Sequence, residues 1–225
     1  MNTPTPPILT PDMVLKAYAQ GYFPMASNED PDEIHWFNPP HRAVLPIQAV
    51  KISRSLHQLL KKKPFEIKVD TAFDQVIEAC ATATPERPST WINDEITNIF
   101  KTLHRAGFAH SVECWQGDSL VGGLYGLTLG SAFCGESMFS RVSGASKIAL
   151  IHLCARLDSA GFTLLDCQLL NDYTAQFGAY EIPKATYLEQ LSIAIQQPGN
   201  FPLKGLKGAE SSIIDDFLKK ALTIS

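Results

Sequence analysis

Phe133-Cys134-Gly135-Glu136-Ser137-Met138-Phe139-Ser140-Arg141 is the stretch on which the reading of this 225-residue chain turns. It follows an apolar, glycine-rich run, Leu120-Val121-Gly122-Gly123-Leu124-Tyr125-Gly126-Leu127, that reads as a buried strand, and precedes a helix opening near Gly144-Ala145-Ser146-Lys147. A carboxylate, two hydroxyls and an arginine therefore sit between core-type segments, where an unpaired charge costs several kcal/mol. Two readings are open: a structural Glu136–Arg141 ion pair, or a site. A second polar cluster, Asp166-Cys167-Gln168, ends the apolar strand Phe162-Thr163-Leu164-Leu165. Polar groups gathered at the ends of neighbouring strands point to a site.

Outward from this centre the pattern is that of an α+β protein. Ser131 to Ser137 reads as a strand antiparallel to the glycine-rich run, which itself forms a hairpin with His110 to Trp115 across Gly117-Asp118. The helix from about Ala145 to Ser159 ends at Gly161 and lays Phe162 to Cys167 down parallel to its predecessor. Before the hairpin come a strand, Phe65 to Val69, and two helices. One is capped by Asp70 or Thr71 and carries Phe73, Val76, Ile77 and Cys80; the other is capped by Asn93 and closed at Gly107. The order β-α-α-β-β-β-α-β-α is that of an acyltransferase-like fold, whose mixed sheet splays apart mid-way and holds an acyl donor in the gap.

The N-terminal quarter is built differently. After a Pro-rich segment, residues 2–9, expected to be extended, Thr10 caps a helix with Pro11 in its first turn that stops at Gly21. Tyr22-Phe23-Pro24-Met25 reads as an apolar turn and Ser27 to Asp32 as a polar loop. His35-Trp36-Phe37 and Arg42-Ala43-Val44-Leu45 read as short strands. Ile52 to Lys63 reads as a helix with Leu56, Leu59 and Leu60 inward and a basic outer face of Arg54, His57, Lys61 and Lys62. Pro64 ends it, and a boundary there gives a small domain over 1–63 and a larger one over 64–225. Asn171 to Phe177 is expected as a short helix and Lys184 to Gln197 as another. The tail, Ser211 to Ile224, is amphipathic, with Ile213, Ile214, Phe217, Leu218, Ala221 and Leu222 on one face.

Composition excludes several classes. Hydrophobic content of 45% and charged content of 19% are those of an ordinary globular protein. No apolar run approaches the roughly 18 residues of a membrane span, and the first residues lack the basic and apolar regions of a signal peptide. Five scattered cysteines without a Cys-x-x-Cys fit reduced thiols, so a cytoplasmic protein is expected. A net charge of −4 argues against a general nucleic-acid coat while permitting a local basic patch. No metal is expected, because the six histidines are scattered and no His-Glu-x-x-His occurs. Gly135-Glu136-Ser137-Met138-Phe139 lacks the second glycine of a nucleophile elbow. Arg141-x-x-Gly144-Ala145 only half resembles the pyrophosphate loop of coenzyme A acetyltransferases.

Taken together, the motifs resemble those of the leucyl/phenylalanyl-tRNA–protein transferase family. The matching runs are Ala17-Tyr18-x-x-Gly21-Tyr22-Phe23-Pro24, Pro39-x-x-Arg42-Ala43-Val44-Leu45, Thr90-Trp91-Ile92, His110-Ser111-Val112-Glu113, residues 120–126, Phe133 to Arg141, Ala145-Ser146-Lys147, Asp166-Cys167-Gln168 and Glu181-Ile182-Pro183. The likeness runs collinearly over about residues 14–192. Tyr173 departs from it, standing where a His is frequent. The resemblance implies a small N-terminal α/β domain followed by an acetyltransferase-like (GNAT-like) domain. It implies an enzyme that moves Leu or Phe, and less well Met, from aminoacyl-tRNA onto the N-terminal Arg or Lys of a protein, creating an N-end-rule degradation signal. It implies no cofactor, no membrane partner and a monomer.

The same resemblance suggests roles. Asp166, through or alongside Gln168, receives the proton of the attacking amine, or else only orients it. Glu136 holds the donor's amino group or positions Gln168. Phe133, Leu150 and Leu165, with Gly135 and Ser137, line the pocket for the donor side chain. Trp91 stacks on the terminal adenosine with Met25 nearby, and Arg54, Lys61 and Lys62 meet tRNA phosphates. Two rivals stand beside it: a coenzyme A-dependent acetyltransferase, and a non-catalytic tRNA- or degron-binding module.

Overall fold

A computed structural model describes residues 9–27, 33–84, 89–202 and 210–223. Most of the Pro-rich N-terminal segment, most of the loop after Ser27, the loop before Pro88 and Ile224 lie outside the described residues, as do the side chains of Ala221 and Leu222.

The Thr10 hydroxyl accepts from the Met13 amide and caps α1 (Pro11–Ala19). The expected apolar turn at Phe23 is instead a strand. β1 (Phe23–Ala26) pairs antiparallel with β2 (Ile34–Phe37), and the Ala26 amide donates to Trp91 O. Pro24 is tolerated because a two-stranded ribbon leaves an outer edge that needs no donor. After β3 (His41–Val44), Ser53 caps α2 (Arg54–Lys62), which buries Leu56 and Leu60 and half-buries Leu59.

The main sheet has seven strands in the order β4-β5-β6-β7-β8-β3-β9, where β4 is Glu66–Val69, β5 Ala109–Gln116, β6 Ser119–Leu129, β7 Ala132–Ser140, β8 Leu164–Gln168 and β9 Tyr180–Pro183. All neighbours are antiparallel except β7 and β8, which the helix α5 (Ala145–Ser159) joins as a parallel pair. The sheet is thus mixed, and the chain α+β. β3 comes from the N-terminal side of Pro64, yet it lies between β8 and β9, so the two parts of the chain share one sheet. β9 carries no apolar run of its own and is not evident from sequence; its pairing with β3 makes it a strand.

Two helices, α3 (Phe73–Ala81) and α4 (Asp94–Arg105), cover one face of the sheet around Tyr125 and Leu127. Asn93 caps α4 as expected. Neither Asp70 nor Thr71 caps α3. Asp70 turns back to the Ser111 amide and His110, and the amides of Thr71 and Ala72 are held at 2.9 and 2.8 Å by Glu113, from β5. α3 therefore has no side-chain cap of its own, and a carboxylate from a distant strand fixes the turn that leads into it, its charge close to the helix N-terminus.

On the opposite face, α5 is buried along most of its length, which explains its lack of a polar side. Its start lies so close to β6 that a Cβ on Gly122 would come within 2.4 Å of the Ala145 Cβ. The helices α2 and α8 (Glu210–Thr223) pack over α5, and α8 buries Ile214 and Phe217, two residues of its apolar stripe. The short α6 (Asp172–Ala175), with a capping box at Asn171, and α7 (Lys184–Ile195) complete the chain. All five cysteines are free thiols. Among the described residues no helix is long and apolar enough to cross a membrane, and no group of His, Cys, Asp and Glu could hold a metal ion.

Candidate active site

The site begins with two irregularities of the sheet. In the β6–β7 ladder Gly126 faces Gly135 but Tyr125 faces Ser137, so Glu136 is the extra residue of a β-bulge. Bulges re-aim a side chain, and this one aims a carboxylate inward. The backbone closes so tightly there that a Cβ on Gly126 would lie 2.4 Å from Cys134 O and from the Phe133 ring. The second irregularity is the β7–β8 seam. Those strands pair only over Ala132–Cys134 with Leu164–Asp166, after which β7 runs on to Ser140 and β8 to Gln168.

A cavity of about 290 Å³ lies at this opening. Leu150 and Leu153 of α5 and Leu165 and Cys167 of β8 give it apolar walls, Gly135, Glu136 and Ser137 come from β7, and Trp91 and Tyr173 also line it. Glu136 is only 9% exposed. Its Oε1 accepts from Tyr18 Oη at 2.8 Å and from Gln168 Nε2 at 3.0 Å. Its Oε2 is buried and has no hydrogen-bond partner among the described residues. Burial pushes the Glu136 carboxyl up to about 8; Asp166 adds to the rise, while the Tyr18 and Gln168 hydrogen bonds oppose it. Arg141 does not pair with Glu136: its guanidinium donates to Leu120 O and lies over the Phe139 ring, which disposes of the structural ion pair.

Asp166 is fully buried, and its carboxylate is saturated. Arg42 binds it bidentately, Nε to Oδ1 at 2.9 Å and Nη2 to Oδ2 at 2.7 Å. Tyr187 Oη donates to Oδ2 at 2.8 Å and the Gln168 amide to Oδ1 at 2.7 Å. The Arg42 guanidinium, itself 1% exposed, lies 4.6 Å from the ring centres of both Phe23 and Tyr187 and donates a further bond to Gly21 O. Burial alone would lower the Arg42 pKa, but Asp166 beside it raises it; burial and then the Asp166 charge raise that of Tyr187. Gln168 sits in the left-handed region at φ 62°, costly for a non-glycine residue and held there by these bonds.

The residues expected at the site divide accordingly. Glu136, Gly135, Ser137, Leu150, Leu165 and Trp91 line the cavity. Asp166 and Gln168 stand behind it, joined to it through Glu136. Phe133 does not line it; that ring is fully buried, stacked on Phe201 at 5.4 Å. Met25, next to the Ala26–Trp91 bond, packs in the same apolar cluster as Trp91 without reaching the cavity. Arg54, Lys61 and Lys62 are exposed on α2, away from the cavity. Sequence reading missed Tyr18, Arg42 and Tyr187. For Arg42 there was a signal, a lone cation heading the apolar run Ala43-Val44-Leu45.

Comparison with known proteins decides the lineage. The family model "Leucyl/phenylalanyl-tRNA protein transferase" matches residues 44–192, and the model of that family's N-terminal domain matches residues 8–40. The chain belongs to this family. Among similar proteins, the leucyl/phenylalanyl-tRNA–protein transferase of Paramagnetospirillum magneticum is 49% identical over 193 residues, covering 86% of this chain and 92% of that one. That of Rhodospirillum rubrum is 49% identical over 86% of this chain and 91% of its own. That of Phenylobacterium zucineum is 50% identical over 84% and 85%. As a leucyl/phenylalanyl-tRNA–protein transferase family member, the chain carries Glu136, Asp166 and Gln168 within the matched core, and Tyr18 within the matched N-terminal domain.

Proposed function

We propose that this protein transfers Leu or Phe, and less well Met, from aminoacyl-tRNA to the N-terminal Arg or Lys of acceptor proteins, creating an N-end-rule degradation signal. One observation carries this reading: the Oε2 of Glu136, unpartnered among the described residues, in a residue that lines a cavity with apolar walls. An aminoacyl ester offers both an apolar side chain and an amino group. Its ammonium satisfies the oxygen that burial leaves unpaired, and in doing so draws the Glu136 pKa back down.

In this reading Leu150, Leu165, Gly135 and Ser137 take the donor side chain, and Phe133 supports the wall from within the core. Trp91, with Met25 beside it, takes the terminal adenosine by stacking. The acceptor's α-amine, with a pKa near 8, is partly neutral at pH 7 and attacks the ester carbonyl carbon. A C–N bond forms, the ester C–O bond breaks, and the proton lost by nitrogen ends on the ribose oxygen that leaves. Gln168, oriented by Glu136 and Asp166, accepts a hydrogen bond from the amine. Asp166 acts as the positioning group, because its oxygens are already occupied by Arg42, Tyr187 and the Gln168 amide. The donor is an activated ester, so positioning supplies much of the rate.

The β7–β8 opening supports an acetyltransferase-like assignment for residues 64–225, with residues 1–63 delivering the basic helix to tRNA through Arg54, Lys61 and Lys62. A cytoplasmic monomer suits this role. The test is incubation with radiolabelled Leu-tRNA and peptides differing only in their first residue. Label is expected in the Arg- and Lys-initiated peptides and not in the Ala-initiated one. No label in any peptide overturns the reading.

A further inference from the structure

Lys51 and Lys147 border a second cavity, of about 230 Å³, whose polar walls are completed by Ser53, Ser55, Ser143 and Gln176. No carboxylate among the described residues lines it, in a chain whose net charge is −4. The two lysines come from distant parts of the sequence; the backbone of Lys51 and the ammonium of Lys147 are held in place. The Lys51 stem lies against Gly178, with Cγ, Cδ and Cε 3.2, 3.4 and 3.5 Å from where a Cβ there would sit, and the Lys51 amide donates to Phe177 O at 2.8 Å. Lys147 Nζ donates to Gln176 Oε1 at 2.9 Å, and Gln176 Nε2 donates in turn to Tyr173 O at 2.9 Å. An ammonium has three donors, so Lys147 keeps two for a ligand. Neither lysine pairs with a carboxylate among the described residues. The first turn of α5 opens beside them, so its dipole adds to their positive field.

Two ammonium groups, with Ser143 and whichever of the hydrogen-bonded pair Ser53 and Ser55 keeps its proton free, suit phosphate oxygens, which accept from each of these donors. The location says whose phosphates they are. α6 lends Tyr173 and Thr174 to the cavity that holds Glu136, and its C-cap Gln176 to this one. The two cavities are therefore neighbours that share one four-residue helix and its cap. We propose that the Lys51–Lys147 cavity holds backbone phosphates of the last one or two linkages of the donor RNA's acylated, single-stranded 3′ end. This rests on the transferase reading. It makes Lys51 and Lys147 binding residues additional to the basic face of α2, and separate from the side-chain pocket.

The experiment compares three donors that carry the same leucyl ester: leucyl-adenosine, which has no phosphate; a leucyl trinucleotide with two internal phosphates; and full-length Leu-tRNA. Each is assayed with the wild type, with Lys51→Ala/Lys147→Ala, and with Lys51→Arg/Lys147→Arg. In the alanine variant the ratio of kcat/KM for the trinucleotide to that for leucyl-adenosine is expected to fall at least tenfold, through KM. The salt dependence with the trinucleotide should flatten by about 0.7 for each phosphate that the variant no longer neutralises. The arginine variant should recover most of the ratio. An unchanged ratio, with loss confined to full-length tRNA, overturns the proposal and leaves the transferase intact. An equal loss with all three donors, or a melting temperature lowered in both variants, makes the lysines structural and overturns it too. Coenzyme A competing with the wild type more tightly than the trinucleotide, and losing that advantage in the alanine variant, would assign the cavity to a coenzyme pyrophosphate instead. If the wild type uses none of the donors, it is the transferase reading that fails.

Discussion

Replacing Asp166 or Arg42 singly should damage the fold more than replacing both. The pair is almost completely enclosed, at 0% and 1% exposure, and each partner is the other's only countercharge among the groups hydrogen-bonded to it. Asp166→Asn leaves a buried guanidinium without its countercharge and turns an amide NH₂ toward N–H donors; Arg42→Met leaves a buried carboxylate holding only Tyr187 and the Gln168 amide. Breaking a buried pair in this way costs about 3–5 kcal/mol, a large part of a total stability of about 5–15 kcal/mol. At roughly 2–4 °C per kcal/mol for a protein of this size, each single variant should lose on the order of 10 °C in Tm. The double variant Arg42→Met/Asp166→Leu removes both charges and should recover most of the loss. Its activity should not return, because Gln168 loses the acceptor that holds its amide at φ 62°. The assay is a thermal and urea double-mutant cycle, paired with single-turnover transfer at saturating donor. Singles that melt within about 2 °C of wild type, at most about 1 kcal/mol on the same scale, would refute the claim of an enclosed pair. A stable double variant with near-wild-type turnover would refute the positioning role of Asp166.

Other outcomes follow from the same geometry. The Glu136 pKa is raised from 4.5 to about 8, so its contribution favours the folded state at low pH and is lost as pH rises through 8, by at most about 5 kcal/mol. Urea unfolding at about pH 5 and about pH 8.5, on either side of that value, should show this decline in the wild type and a much smaller one in Glu136→Gln; equal declines would contradict the assignment. Gly126→Ala should cost about 1–3 kcal/mol or more through overpacking at the bulge, read as a lower urea midpoint, since Cys134 O and Phe133 leave no room for a methyl. The wild type should reject Ile-tRNA relative to Leu-tRNA, and Leu150→Ala should narrow that preference about tenfold, because a methyl-sized difference in an apolar pocket is worth about 1–3 kcal/mol. Arg54→Glu/Lys61→Glu should raise KM for aminoacyl-tRNA and flatten its salt dependence while leucyl-adenosine responds little; equal effects on both would make the α2 face structural.

Local signals in the sequence determined most of the elements. Thr10-Pro11, Ser53 and Asn93 cap helices from within their own segments, and the apolar runs of 120–127 and of the helix from Ala145 read as buried elements because both faces of that strand and most of that helix are covered. The polar residues Glu136, Asp166 and Gln168 stood out for the same local reason, a costly charge or amide inside apolar runs. What they touch was not legible. Arg42 and Asp166 are 124 residues apart and Tyr18 and Glu136 are 118, and no local rule pairs groups at such separations. Only the sheet order, with β3 slipped in beside β8, puts the Arg42 guanidinium against Asp166 and so anchors that carboxylate. The same holds for Glu113, which holds the Thr71 and Ala72 amides just ahead of α3, and for Phe133, which faces Phe201 because the register across β6 and β7 sends that side chain into the core and away from the pocket. Caps, periods and breakers act over one helical turn or one pleat and can be read along a chain. Burial of a charge is decided by whichever distant strand arrives to cover it, and that is settled only when the sheet closes.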